Sequence, residues 1–516
     1  MLTIRSKKPS FAQFQTIKAN LRAQMGSFGA QDFSVNAAYK LSQRASLSLN
    51  TQWQNSDGDY PYRLYYGDGA HQYQHEDRAN NAMTSLRVES RLAIDWNTRS
   101  SMELKTYHYD SQRQLPGAVI LYNPQSNQKL WDQTDFIQSH FETSWSNQWF
   151  WQFNAKYNQT TQRYLNPDYL GSSGREDFRY HQQEGYLSST ILFQPSTSFS
   201  VSWATDGAVA GMQSNLSNFS SPTRYSLLSN VAVKYVQKRF LATAGLLATG
   251  IQEQTKQGQA AQTIGRLSPA LNASWQPLAT LSGLRLRSFW KQSFRPPSFN
   301  DLYYSAIGNT LLKPENNQQI NVGVTYVNVL PKSGVHLDFT VDAFRNEVRN
   351  KIMAIPTKNI FVWSMTNLGK VDIQGLDLNL HAAKVFFKTV EVNTAWNHSY
   401  QRAVDKTDPS SKVYGQQIAY APRVYGSLRC GLDWQHWLFG YTMLYSGHRY
   451  VTGQNLAIND LSGYQDHSLS IAYQQKAFLD WTLRLDVQNL SNKNYEIVRN
   501  FPMPGRMMKV TLQLDL

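Results

Sequence analysis

At 516 residues, with a formal charge of +14 and one cysteine, Cys430, the chain is long enough for several soluble domains or one large one. Its mean hydropathy of −0.50, with no apolar run near the roughly 18–20 residues of a membrane-spanning helix, excludes a helical membrane protein; one cysteine excludes an intrachain disulfide and offers no metal-site spacing. Lys and Arg are scattered singly, without a nucleic-acid fold signature, so the positive excess points to anionic lipid headgroups or an anionic ligand and not to nucleic acid.

In chain order, "MLTIRSKKPS" comes first. It lacks the apolar stretch of roughly 7–15 residues and the small-residue cleavage site of a secretory signal. Period-two alternation then recurs to the end of the chain. It is clear in "TIKANLRAQM", "DFSVNAAYKL", "RASLSLNTQW" and "SLRVESRLAIDW", then in "FIQSHFETSW", "LRLRSFW", "INVGVTYVNV" and "VHLDFTVDAF". It continues through "LDLNLHAA", "VEVNTAWNHSY", "HSLSIAYQQ" and "WTLRLDVQNL". Each predicts a strand with one apolar and one polar face; helix periodicity is nearly absent, and no long helix is expected.

The connections alternate between short and long. Short ones fall at 41–44, 97–100, 195–198, 331–334 and 475–480; long ones cover 53–82, 110–133, 160–181, 294–316, 401–418 and 448–463. Short turns on one rim and long loops on the other describe an outer-membrane barrel, whose aromatic girdles also suit the 13% aromatic content. A soluble propeller would need a blade repeat of about 40–50 residues, and none is present. The fold expected is all-β: one transmembrane antiparallel barrel of about 22 strands in the bacterial outer membrane. The closing "MMKVTLQLDL" should aim Met508, Val510, Leu512, Leu514 and Leu516 at lipid, with Lys509, Thr511, Gln513 and Asp515 facing the lumen. The barrel is expected over 16–516. The long loops are expected to stay on the rim, so neither they nor residues 1–15 fill so wide a lumen, and a second polypeptide should close it.

Several segments resemble the barrel of TonB-dependent outer-membrane receptors. "SFRPPSFNDLYYSAIGNTLLKPE" at 293–315 resembles a mid-barrel loop of that family, and "TNLGKVDIQGLDLNL" at 366–380 a strand pair. "GQQIAYAPR" at 415–423 and "VQNLSNKNYEIVRNFPMPGR" at 487–506 match further segments, the last just before the closing strand. "DSQRQLPG" at 110–117 is similar to a loop of the cobalamin and siderophore branch. Pro296 replaces the family's usual Ala, and Leu516 its usual terminal Phe. "LTIRSKKPS" resembles the junction between the family's plug domain and its first barrel strand, so residues 1–15 are expected to be the end of that junction.

The resemblance implies a receptor for a large, scarce solute of cobalamin or siderophore type. Its partners would be outer-membrane lipid, a separate plug or other closing polypeptide, and TonB acting indirectly through the plug. The alternative is a plugless barrel serving as a structural subunit of an outer-membrane assembly or secretion complex. No cofactor and no catalysis are expected: the chain has no H-E-x-x-H, serine elbow or phosphate loop. His71 and His75 in "HQYQH" read as a polar aromatic loop before a metal pair. Ligand contacts are expected in two tyrosine-rich loops, at Tyr60, Tyr62, Tyr65 and Tyr66 and at Asn300, Tyr303 and Tyr304, because Tyr offers flat area and a hydroxyl with few rotors to freeze. Arg295 joins them as a partner for an anionic ligand or a plug carboxylate. Outer-girdle or loop-on-loop packing is the competing role for the tyrosines, and a solvent-facing strand end for Arg295.

Overall fold

Alternation carried through the whole chain produces a closed wall. The computed structural model describes all residues except 1–7, 13–14, 66–72, 121–125, 170, 172–173, 259, 261–262, 306, 331–332, 357–362 and 477–478. A 22-stranded sheet runs from Ile17–Gly26 to Met507–Asp515, with neighbours in sequence pairing antiparallel. The first strand also pairs with the last, from Asn20↔Asp515 to Gly26↔Lys509, so the sheet has no free edge strand. A closed ring removes the unpaired backbone groups that lipid cannot satisfy.

The side-chain period assigns the faces. Met508, Val510 and Leu512 are 51%, 48% and 41% exposed on the outer face of the wall. On the opposite parity, Asp515 accepts hydrogen bonds from Asn20 Nδ2 (2.6 Å) and Gln513 Nε2 (3.1 Å). The lumen wall continues with Asp32, which takes Arg22, Gln52 and Gln54, and with the Lys105–Glu89 and Arg287–Asp342 pairs. Exposed Trp96, Trp145, Trp149, Trp275, Trp434 and Trp437 all sit beside short turns, forming an aromatic girdle at that rim.

The expected parity of the connections holds. Turns at 43–44, 98–99, 197–198, 238–239 and 435–436 share the rim that receives the amino-terminal segment, and the longest loops share the other. One hairpin on the long-loop rim, 27–30, is short. Part of the expected turn 331–334 lies outside the described residues. The expected loops 110–133 and 160–181 are too long: strands extend to Leu115 and from Gln128, then to Asn166 and from Glu176. These strands have 16–21 residues, whereas about 9–11 cross a membrane, so their outer ends stand in water on both faces and lose the alternation.

Inside the short-turn rim, residues 8–12 and 15–16 lie along the wall. Thr16 O accepts from Lys40 N (2.8 Å), Ser10 O from Lys18 Nζ, and Lys8 pairs with Asp95. Asp95 has the luminal parity, opposite Trp96. The segment therefore crosses the mouths of the first strands on the luminal side. It borders a cavity of about 500 Å³ lined by Asn20, Asn36, Asn50, Glu89, Arg91 and Asp515.

The candidate ligand-binding crown

Loop 296–314 departs from the expectation that each long loop stays on the rim. It holds a five-residue helix, Phe299–Tyr303, stopped at each end by local chemistry. Ser298 Oγ accepts the Asp301 amide and Asp301 accepts the Ser298 amide, a reciprocal cap. Arg295 Nη2 binds the same Asp301 carboxylate at 2.7 Å. Phe299, Leu302, Tyr303 and Leu312 then pack on Tyr180, Met212, Phe219 and Met365. Tyr180, Met212 and Glu253 have the parity opposite to the exposed Leu187, Val209 and Leu246, so the helix docks against the luminal face of the wall. Burial of this apolar cluster draws the loop inward across the mouth.

Hydroxyls fix it there. Tyr303 is buried and donates to Glu253 Oε2 (2.9 Å), whose other oxygen takes Arg224 Nε at 2.6 Å. Tyr304 donates to Gln162 Oε1 (2.9 Å) and stacks on Tyr180 at 4.8 Å. Burial, with Tyr180 alongside, pushes the Tyr304 hydroxyl up to about 12. Tyr180 in turn donates to Ser305 Oγ (2.8 Å). Asn300 is exposed, and the Arg295 side chain is 49% exposed while paired to Asp301.

Loop 57–82 carries its own hairpin, Pro61–Tyr65 with Tyr73–Asp77. Tyr60 and Tyr62 are buried in it, and Tyr60 donates to Pro502 O at 2.6 Å. Burial pushes both hydroxyls upward and the guanidinium of the adjacent Arg78 downward. Tyr65 contributes a backbone pair to Tyr73; Tyr66 and His71 lie outside the described residues. Among the described residues no group of three metal-ligating side chains assembles.

Further bonds link the loops. Val119 N donates to Asn500 O (2.7 Å), Arg449 to Glu496 O (2.6 Å), Arg499 to Asp460 O (2.6 Å), Tyr420 N to Tyr450 O (2.7 Å), and Asn309 to Met365 O (3.0 Å). The loops thus form an interlocked crown, with loop 296–314 folded into its mouth. The tyrosine clusters do not converge on one pocket. Tyr60, Tyr62 and Tyr303 are spent on holding loops, whereas Asn300 and part of Arg295 face outward.

The motif residues missed as candidates turn out to be anchors. Asn489, 1% exposed, donates to Lys493 O (2.9 Å) and Pro504 O (3.1 Å) and accepts from Lys493 N (2.9 Å). Tyr495 donates to Asp466 at 2.9 Å. Asn367 ties Lys313 to Asn350, and the buried Gln417 joins Arg423 to Asn455. An Asn beside a turn, with a side chain able to bond nearby backbone, was the available signal.

Comparison with known proteins agrees with this architecture. The family model described as TonB dependent receptor-like, beta-barrel, matches residues 95–490. The vitamin B12 transporter BtuB of Vibrio vulnificus is 24% identical over 275 residues, 48% of this chain and 42% of that protein. The protein of the same name from Photobacterium profundum is 30% identical over 116 residues, 21% of this chain and 18% of that one. These matches span less than half the length of either relative. Among solved structures, the ferric preacinetobactin receptor BauA of Acinetobacter baumannii superposes with a TM-score of 0.74 at 11% identity, covering 97% of this chain and 80% of that one. The FrpB iron transporter of Neisseria meningitidis (F5-1 variant) gives 0.76 at 12%, covering 98% and 83%. At such identity the likeness is one of fold. A family match over most of the chain and a closed 22-stranded wall establish an outer-membrane β-barrel: the chain belongs to the TonB-dependent receptor-like β-barrel family.

Proposed function

We propose that this barrel captures a large, scarce solute of cobalamin or siderophore type on its crown and passes it inward through the lumen. It does so with a plug supplied by a second chain, through which TonB acts. The observation that carries this reading is the amino-terminal segment. Its described residues 8–12 and 15–16 run along the luminal wall beside a polar cavity, and its sequence resembles a plug-to-barrel junction, which supports reading residues 1–15 as the junction and 16–516 as the barrel. The solute class is supported by the similarity to proteins named vitamin B12 transporters. Asn300 and Arg295 are the candidates open to a solute. Tyr60, Tyr62, Tyr65, Tyr66, Tyr303 and Tyr304 are proposed to shape the rim on which it lands.

The test is co-purification from the native outer membrane, followed by titration of the complex with cyanocobalamin and with a ferric siderophore. The expected result is a second chain able to fill a barrel, and saturable binding of one of the two solutes. A complex made of assembly or secretion proteins, binding neither solute, would make the barrel a structural subunit instead. Planar-bilayer conductance adds a second readout. The chain alone should pass large steady currents that its partner abolishes.

A further inference from the structure

Among the described residues, one seam of the wall is left open toward the long-loop rim between two strands that are otherwise fully paired. Strand Ile264–Trp275 pairs with its predecessor along its full length, from Ile251↔Ile264 to Phe240↔Trp275. Strand Leu284–Arg295 likewise pairs with its successor from Leu284↔Tyr326 to Arg295↔Glu315. Between these two strands, however, the ladder runs only from Trp275↔Leu286 to Ala270↔Lys291. Toward the long-loop rim, residues 264–269 and 292–295 therefore each keep one edge without a ladder partner. Pro269, which has no amide hydrogen to donate, stands immediately beyond the last pair.

The gap is not filled by side chains. A cavity of about 710 Å³ lies across it, lined from both strands by Arg266, Ser268, Gln292 and Ser293. It continues over the neighbouring strands to Asn317, Arg349 and Lys370. Arg349 and Lys370 share the single carboxylate of Glu347, each at 3.0 Å. On the outer parity these two cations outnumber Glu347, and Arg266, which lines the gap on the luminal parity beside Thr249, has no ion-pair partner among the described residues. Asn317 Oδ1 is buried without a hydrogen-bond partner.

We propose that this seam is a docking slot for an extended, net-negative segment of a second polypeptide, which adds to the wall as a strand. Two facing edges present amides and carbonyls at strand spacing, and a peptide backbone matches that pattern on both sides. The unbalanced cations select acidic side chains on the added strand. A lone anionic headgroup would meet the cations but leave both edges unpaired. The slot opens at the long-loop side, away from the luminal amino-terminal segment. It is independent of which solute, if any, the barrel carries.

The experiment uses the full chain in lipid nanodiscs and a fluorescent peptide of four Thr-Glu repeats. A twin peptide has alternate amides N-methylated, and inorganic pyrophosphate serves as competitor. Saturable binding is expected, about tenfold or more weaker for the methylated twin and for Arg266→Glu, since each removes charge-assisted or backbone hydrogen bonds. Hydrogen exchange on the wild-type chain supplies a readout that needs no variant. In the free barrel, the gap-facing amides of 264–269 and 292–295 should exchange faster than those of 270–275, and the peptide should slow them. The proposal is overturned by no saturable binding, by equal binding of the methylated twin, or by edges already as protected in the free barrel as 270–275. Displacement by pyrophosphate with unchanged edge exchange would also overturn it, leaving an anion site.

Discussion

Replacing Tyr303 by phenylalanine removes one hydroxyl from the inward loop and keeps its ring in the apolar cluster. That hydroxyl donates at 2.9 Å to Glu253, whose side chain is 3% exposed and ion-paired to Arg224. With no room for water to replace it, a hydrogen bond to a charged acceptor contributes about 1.5–3 kcal/mol. Undocking of loop 296–314 should therefore become about 10- to 150-fold more frequent. Tyr304→Phe serves as the internal comparison: its hydroxyl meets the neutral Gln162 amide at 2.9 Å. Here about 0.5–1.5 kcal/mol is lost, and the increase is roughly 2- to 12-fold. Leu302 N, bonded to Ser298 O, and Asn309 N, bonded to Asp301 O, report the docked state. Their hydrogen exchange in nanodiscs tracks opening where reclosing is fast. A rise below about threefold for Tyr303→Phe, or a larger effect of Tyr304→Phe, would refute the claim that a buried charged bond holds the loop in the mouth.

Other perturbations test the wall and the anchors. Leu512→Arg should cost about 2–4 kcal/mol in urea unfolding from lipid vesicles, whereas Thr511→Arg on the luminal parity should cost little; equal costs would mean the faces are assigned wrongly. At Gly375 a Cβ would stand 2.4 Å from Phe344 Cζ and 2.5 Å from Tyr400 O, so Gly375→Ala should destabilise by about 1–3 kcal/mol. Gly185→Ala, with nothing within 4 Å of its Cβ, should lower the melting temperature far less. Asn489→Ala leaves Lys493 N and two carbonyls unserved, at about 1–3 kcal/mol for a buried orphan group. Limited proteolysis should then cut within 490–506 first, and unchanged resistance would remove Asn489 from its anchoring role.

Where the wall touches lipid on one face and water on the other, the sequence records both, and the strands are readable. The closing segment and "SLRVESRLAIDW" are of this kind. Strand Phe240–Gln254, "FLATAGLLATGIQEQ", is not, because small residues on both faces blur the period. Strand Trp363–Phe386 has 24 residues, and its outer third, "WSMTNLGK", stands where both faces meet water or other loops. The inward turn of loop 296–314 was hidden for a related reason. Its docking partners, Tyr180, Met212 and Met365, lie far away in sequence and read as ordinary strand residues. The candidate tyrosines were found by composition, but composition does not separate a ring that meets a solute from one that holds a loop. Tyr60 and Tyr303 have the same chemistry as a binding residue and are buried.

That distinction bears on where specificity can reside. The segments around Asn367, Gln417 and Asn489 that resemble the family use their polar side chains on neighbouring backbone, and Gln417 and Asn489 are buried. They stiffen the long strands above the membrane, where no lipid pressure and no continuous core would otherwise keep eleven hairpin tips in register. A stiff crown lets exposed positions change without unfolding it. Among the described residues, the most exposed large apolar side chains on the crown loops are Leu311 and Ile458, each 79% exposed, on loops 296–314 and 447–463. These loops are joined to the rest of the crown from beneath, by Asn309 and by Arg449 and Arg499. Exchange of such tips should therefore change which solute is held while leaving the melting temperature nearly unmoved, whereas exchange of the anchors should do the reverse.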